Sequence, residues 1–226
     1  MAAGMDWTAF ALSLKLAGWT AAVLLPAGLI LSRLLAFHVR RGKPLFEAAV
    51  ALPLVLPPSV LGYYLLVAFG GASPLGEWWT RVFGHGLAFS FDGLLLASVL
   101  INIPFAVQPM QRAFEALPAD IREAAWVSGL APWRTFWRIE LPLAWPGVLS
   151  AFVLTFAHTL GEFGVVLMVG GSIPGETRTA ALAIYDRVQA FDNGAAGAMS
   201  LLLLLMSIAA IVIVHGLSGR MGRRRG

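Results

Sequence analysis

Between Glu47 and Glu77 the chain carries no charged side chain. A helix needs ~20 mostly apolar residues to cross the hydrocarbon core of a bilayer, and this stretch exceeds that length. Together with 47–70, the segments at about 11–37, 92–112, 143–170 and 194–218 are long enough to span, and 194–218 holds no Asp, Glu, Lys or Arg. No water reaches backbone N–H and C=O groups in lipid, so each segment must satisfy its own hydrogen bonds and is expected to be helical. The chain is 58% hydrophobic and 12% charged, about half the charge of a soluble domain. The expected fold class is an all-α integral membrane protein, a single domain over 1–226 with five transmembrane helices.

Basic residues set the orientation. Arg40, Arg41 and Lys43 follow the first segment, Arg122, Arg134 and Arg138 follow the third, and Arg220, Arg223, Arg224 and Arg225 follow the fifth. The opposite loops hold Arg81, Arg178 and Arg187, diluted by Glu77, Glu176, Asp186 and Asp192. Cytoplasmic loops are the basic ones, so the N-terminus is expected outside and the C-terminus inside. The net charge of +4 therefore reads as a topology signal rather than a nucleic-acid surface. Lys15 and Arg33, near the two ends of the first segment, are expected to snorkel. No basic stretch precedes that segment, which reads as a retained anchor rather than a cleaved signal.

Residues 118–142 form a polar, basic loop between apolar segments. Pro118 ends the preceding helix, Asp120 is expected to cap a new one, and Glu123 three residues on completes a capping-box pattern. Ile121, Ala124, Ala125 and Ser128 share a face at helical spacing, and Gly129 sits where a helix end takes a left-handed residue. A two-turn helix over 121–128 is marginal alone in water, so it is expected to dock on a partner. Trp133 and Trp137 are one turn apart, as are Arg134 and Arg138, an amphipathic piece suited to the headgroup level. Pro142 and Pro146 are expected to begin the fourth span.

Two places inside the membrane stand out. Glu162 is an acid deep in the fourth segment, in Leu160-Gly161-Glu162-Phe163-Gly164, where a carboxylate costs about 2.5–3.5 kcal/mol. It reads equally as a pore or gate residue or as a structural hydrogen bond, with Gly161 and Gly164 permitting close helix approach. In the second segment Pro53, Pro57 and Pro58 remove backbone donors, and Pro57, Pro58 and Ser59 are expected to line a pore. Asn102 with Pro104 is expected to break the third span with its polar side inward, and core packing explains the pair equally well. Residues 180–188 suit a short external helix. With no cysteine, thiolate metal sites and cysteine nucleophiles are excluded. Neither lysine, Lys15 or Lys43, follows a phosphate-loop glycine pattern, so no ATP site is expected on this chain.

Glu123-Ala124-Ala125, Gly129 after three residues, and Ile139-x-Leu141-Pro142 after nine more resemble the cytoplasmic loop of bacterial ABC importer permeases. The resemblance implies a type I importer permease fold in which 121–129 is a coupling helix docked on a separate ATPase subunit. Glu123 would pair with a basic residue there. Pro53-to-Pro58, Leu160-to-Gly164 and Ile173-Pro174-Gly175-Glu176-Thr177-Arg178-Thr179 are similar to molybdate permease subunits, and the Gly-Glu-Phe-Gly element also to sulfate permeases. The implied assembly is a homodimer in the inner membrane, with two ATPase subunits inside and a periplasmic molybdate-binding protein outside. ATP would sit on the ATPase, and this chain would hold no cofactor or metal. Sulfate, thiosulfate or tungstate transport by the same architecture is the alternative; an integral-membrane enzyme is a further one.

Overall fold

The computed structural model describes residues 5–39 and 41–222, with side chains described up to 212. Arg40, Arg223, Arg224 and Arg225 lie outside the described residues, and the side chain of Arg220 outside the described side chains. Every regular element among the described residues is helical: α1 Trp7–Phe37, α2 Lys43–Val55, α3 Pro58–Phe69, α4 Pro74–Phe83, α5 Phe91–Glu115, α6 Ala119–Val127, α7 Pro132–Thr135, a π turn Phe136–Glu140, α8 Leu141–Gly161, α9 Gly164–Gly170, α10 Ala180–Gln189 and α11 Asn193–Gly222.

The core is the contact of α1, α5 and α8. Leu24, Ala106, Met110, Val148 and Ala151 are buried between them. Close crossing depends on glycine: an added Cβ at Gly147 would lie 2.8 Å from the Pro109 carbonyl oxygen, and one at Gly28 would lie 3.3 Å from Ala106 Cβ. Thr20, Ser98 and Asn102 are fully buried but bonded to one another, with Thr20 Oγ1 donating to Ser98 Oγ at 2.9 Å and Asn102 Nδ2 to Ser98 O at 2.8 Å. Asn102 and Pro104 do not break the third span: α5 is continuous and also carries Pro109. Helices packed around α5 keep it continuous where its prolines each remove a backbone donor.

The second span is broken. Helices α2 and α3 meet at 104°. A residue preceding proline is pushed out of the helical region, and here two such residues adjoin: Leu56 has ψ 137° and Pro57 ψ 139°. Pro53 lies within α2 without breaking it. Helices α1, α5, 132–161 and Asn193–Val212 are long and apolar enough to span, and the bent pair makes a fifth candidate.

The fourth span also differs from the expected 143–170. It starts at Pro132, runs through the π turn and ends at Gly161, with α9 a separate short helix. Pro142 and Pro146 lie inside it rather than at its start. Pro142 has no N–H, and its ring crowds the carbonyl one turn back. The wider turn before it, where Leu141 N–H reaches Phe136 O, accommodates that ring. Helix α4 was not expected from sequence, although Ser73 caps it by accepting from Gly76 N–H at 2.9 Å and Gly84 ends it at φ +78°. Helix α10 forms where the sequence suggests, but its N-terminus is capped from afar: Ser13 Oγ accepts the Ala180 N–H at 2.8 Å.

Candidate functional site

Helix α6 projects from the bundle between two tight turns. Its N-cap is Pro118, and Asp120 makes no cap bond but sits in the first turn, where a carboxylate favours the helix dipole. Pro118 is held extended at ψ 134°, so the helix starts two residues too early for the expected capping box. At the other end Gly129 has φ +75°. Its N–H bonds Trp126 O at 2.9 Å and Leu130 N–H bonds Ala125 O at 3.0 Å, the paired bonds of a Schellman ending. The expected face of small residues splits. Ala125 is buried, whereas Ile121, Glu123, Ala124 and Ser128 are exposed, with Val127 89% and Trp126 51% exposed. Ile139, Leu141 and Pro142 are half-buried, and Leu141 packs on the α1–α5–α8 core. Trp133 and Trp137 meet edge to face at 5.3 Å and stay exposed.

The feature that sequence reasoning missed is Glu140, a fully buried carboxylate in the π turn. Arg33 of α1 donates to it through Nε at 2.6 Å and NH2 at 3.3 Å. Arg122 of α6 donates through Nε at 3.1 Å. The Arg122 guanidinium also lies 3.6 Å from the Phe37 ring centre and 5.1 Å from that of Trp126, and Arg33 lies 5.4 Å from that of Phe136. Arg33 is thus held by a buried acid. Removing one partner of such a buried pair typically costs about 3–5 kcal/mol. The signal in sequence was slight: Glu140 is a lone acid beside Arg134 and Arg138, and its partners lie 107 and 18 residues away. A second polar group ties α2 to α5, with Lys43 Nζ 2.7 Å from Glu115 Oε1 and Gln111 Nε2 2.6 Å from Glu47 Oε1.

Of the residues expected at a pore, the structure brings three together. Glu162 sits at the break between α8 and α9, extended at ψ 126°. Its Oε1 accepts the Val165 N–H at 3.0 Å, so the acid caps α9. Gly164 lies against Pro58, where an added Cβ would come within 2.7 Å of the proline Cβ. The α8–α9 break therefore packs against the α2–α3 break. Pro57 and Ser59 are exposed beside it. Gly161 is exposed and makes no close approach within the protomer, since a Cβ there meets nothing within 4 Å. His158, stacked on Phe105 at 4.2 Å, links this place to the buried polar chain. Its Nδ1 lies 3.1 Å from Asn102 Oδ1. Because Asn102 Nδ2 donates to Ser98, Oδ1 must accept, and His158 Nδ1 carries the proton. Nε2 then faces Glu162 Oε2 at 3.7 Å. Lys15 Nζ lies over the Phe91 ring at 4.1 Å.

The loop after α9 is self-supporting. Thr177 is fully buried; its hydroxyl donates to Gly170 O at 2.6 Å and accepts from Ile173 N–H at 3.0 Å. Arg178 Nε bonds Ser172 Oγ at 3.0 Å and lies 3.4 Å from Asp186. No group of three metal-ligating side chains occurs among the described residues. The arrangement is one of two helix breaks packed against each other and a short helix with an exposed face.

Known proteins match along nearly the whole chain. It is 47% identical to the molybdenum transport system permease protein ModB of Azotobacter vinelandii over 209 residues, 90% of this chain and 92% of that protein. Identity to the Escherichia coli K12 protein of the same name is 37% over 221 residues, 97% of this chain and 96% of that one. A probable sulfate transport system permease protein of Chlorella vulgaris is 29% identical over 92% of this chain and 78% of its own length. The fold is that of a bacterial alginate ABC transporter solved in complex with an alginate pentasaccharide-bound periplasmic protein, with a TM-score of 0.76 at 16% identity, covering 95% of this chain and 78% of that one. Residues 25–225 match the family described as binding-protein-dependent transport system inner membrane component, and the chain belongs to that family.

Proposed function

We propose that this chain is the membrane subunit of an ATP-driven molybdate importer. The relatives named for molybdenum transport, at 47% and 37% identity over nearly full length, favour molybdate over sulfate, whose relative stands at 29%. Two copies would form one path, with ATPase subunits inside, a binding protein outside, the N-terminus external and the C-terminus cytoplasmic. The observation that carries the coupling role is α6, a projecting helix that exposes Glu123, Ala124, Trp126 and Val127 and ends sharply at Gly129. In this reading ATP-driven closure of the ATPase pair pushes the two α6 helices together. The bundle then opens outward, accepts the anion, and returns inward after hydrolysis, as alternating access requires. Pro57, Pro58, Ser59, Glu162 and Gly164, where the two broken spans meet, form the gate, with Gly161 facing the second copy. Glu162 does not ligand the cargo, because a carboxylate repels an oxyanion.

The test is uptake of labelled molybdate into proteoliposomes holding this chain, its ATPase and the binding protein, with sulfate and tungstate as competitors. ATP-dependent uptake that withstands excess sulfate is expected. Uptake abolished by sulfate would move the cargo to sulfate. Flux without ATP would overturn the pump reading.

A further inference from the structure

The exposed face of α6 accounts for how a partner pushes on it. It leaves open how so short a helix, standing off the bundle, passes that push inward. Apolar contacts do little here: α6 packs mainly on α7, and Ala125 is its one buried residue. Among the described residues, the one ion pair made by α6 is Arg122 to Glu140. That carboxylate is fully buried and is shared with Arg33 of α1.

We infer that Glu140, clamped by Arg122 and Arg33, is the joint through which movement of α6 reaches α1 and α8 together. Three features support this role. Charge-assisted hydrogen bonds are short and directional, so they carry displacement where packed apolar surfaces slide. Arg122 is further fixed by lying 3.6 Å from the ring centre of Phe37, the last residue of α1. Glu140 itself stands at the end of the π turn, a local irregularity that a helix can shift without breaking. The three residues are positioning residues; none needs to touch the cargo. The inference rests on the importer reading for its functional consequence, but not for its geometry.

The test uses Arg122→Gln, which leaves Glu140 paired with Arg33 and so preserves the fold better than Glu140→Gln. Hydrogen exchange of the chain in nanodiscs is read first. Amides of 119–127 should exchange roughly tenfold faster or more, as loss of a charged hydrogen bond implies, while those of α10 stay unchanged. In the assembled complex, uptake per ATP hydrolysed should fall by roughly threefold to thirtyfold, with Arg122→Lys recovering part of it. Unchanged exchange in α6 would overturn the joint, as would wild-type uptake per ATP. Uptake and hydrolysis falling in step with the amount of folded protein would show a merely structural role and also overturn it. Failure of the unsubstituted complex to couple ATP to uptake would strike the importer reading instead, and the exchange measurement would still decide the joint.

Discussion

Replacing Gly129 by alanine isolates one physical effect. The residue has φ +75°, and a Cβ built on it meets nothing within 4 Å. No steric contact is added, so the cost is that of holding an L-residue left-handed, about 1–2 kcal/mol. At 1.4 kcal/mol per tenfold, that opens the α6 ending roughly fivefold to thirtyfold more often. The bonds at risk are Gly129 N–H to Trp126 O and Leu130 N–H to Ala125 O. Hydrogen exchange of a peptide covering 126–131 reads them directly. The expected order of protection is glycine, then asparagine, then alanine, then valine, because asparagine tolerates this region better than other side chains. Uptake in proteoliposomes should fall in the same order, with insertion and ATPase binding kept. Gly161→Ala, which also meets nothing within 4 Å but has no positive φ, should leave exchange at 126–131 unchanged. Alanine protecting as well as glycine, or better than asparagine, would refute the conformational argument.

Other perturbations give distinct outcomes. Glu162→Ala removes the acceptor of Val165 N–H and should cost about 0.5–2 kcal/mol in unfolding, as lost caps do, whereas Glu162→Gln keeps an acceptor oxygen and should be close to wild type in stability. Gly164→Ala drives a methyl into Pro58 and should cost about 1–3 kcal/mol by overpacking, visible as a lowered Tm in detergent. Ser13→Ala orphans the buried Ala180 N–H and should destabilise by about 1–3 kcal/mol, with hydrogen exchange rising at the start of α10.

The amino-acid sequence determined the membrane class and the approximate places of the spans, because bilayer thickness sets a length that only long apolar segments meet. It also marked Pro57 and Pro58 as residues that remove backbone donors, where the structure breaks the span because each proline acts on the residue just before it, and the left-handed ending at Gly129, since the backbone there has few options. These are local effects, and each is written within a few residues. The tertiary structure decided what depends on distant neighbours. Asn102 and Pro104 lie in an unbroken α5 because helices around it hold it. The fourth span starts at Pro132 because a π turn absorbs Pro142. Ser13 caps a helix 167 residues away, and Glu140 gathers arginines from α1 and α6. A buried charge must find its partners wherever the packed chain brings them, and no spacing along the sequence records that distance.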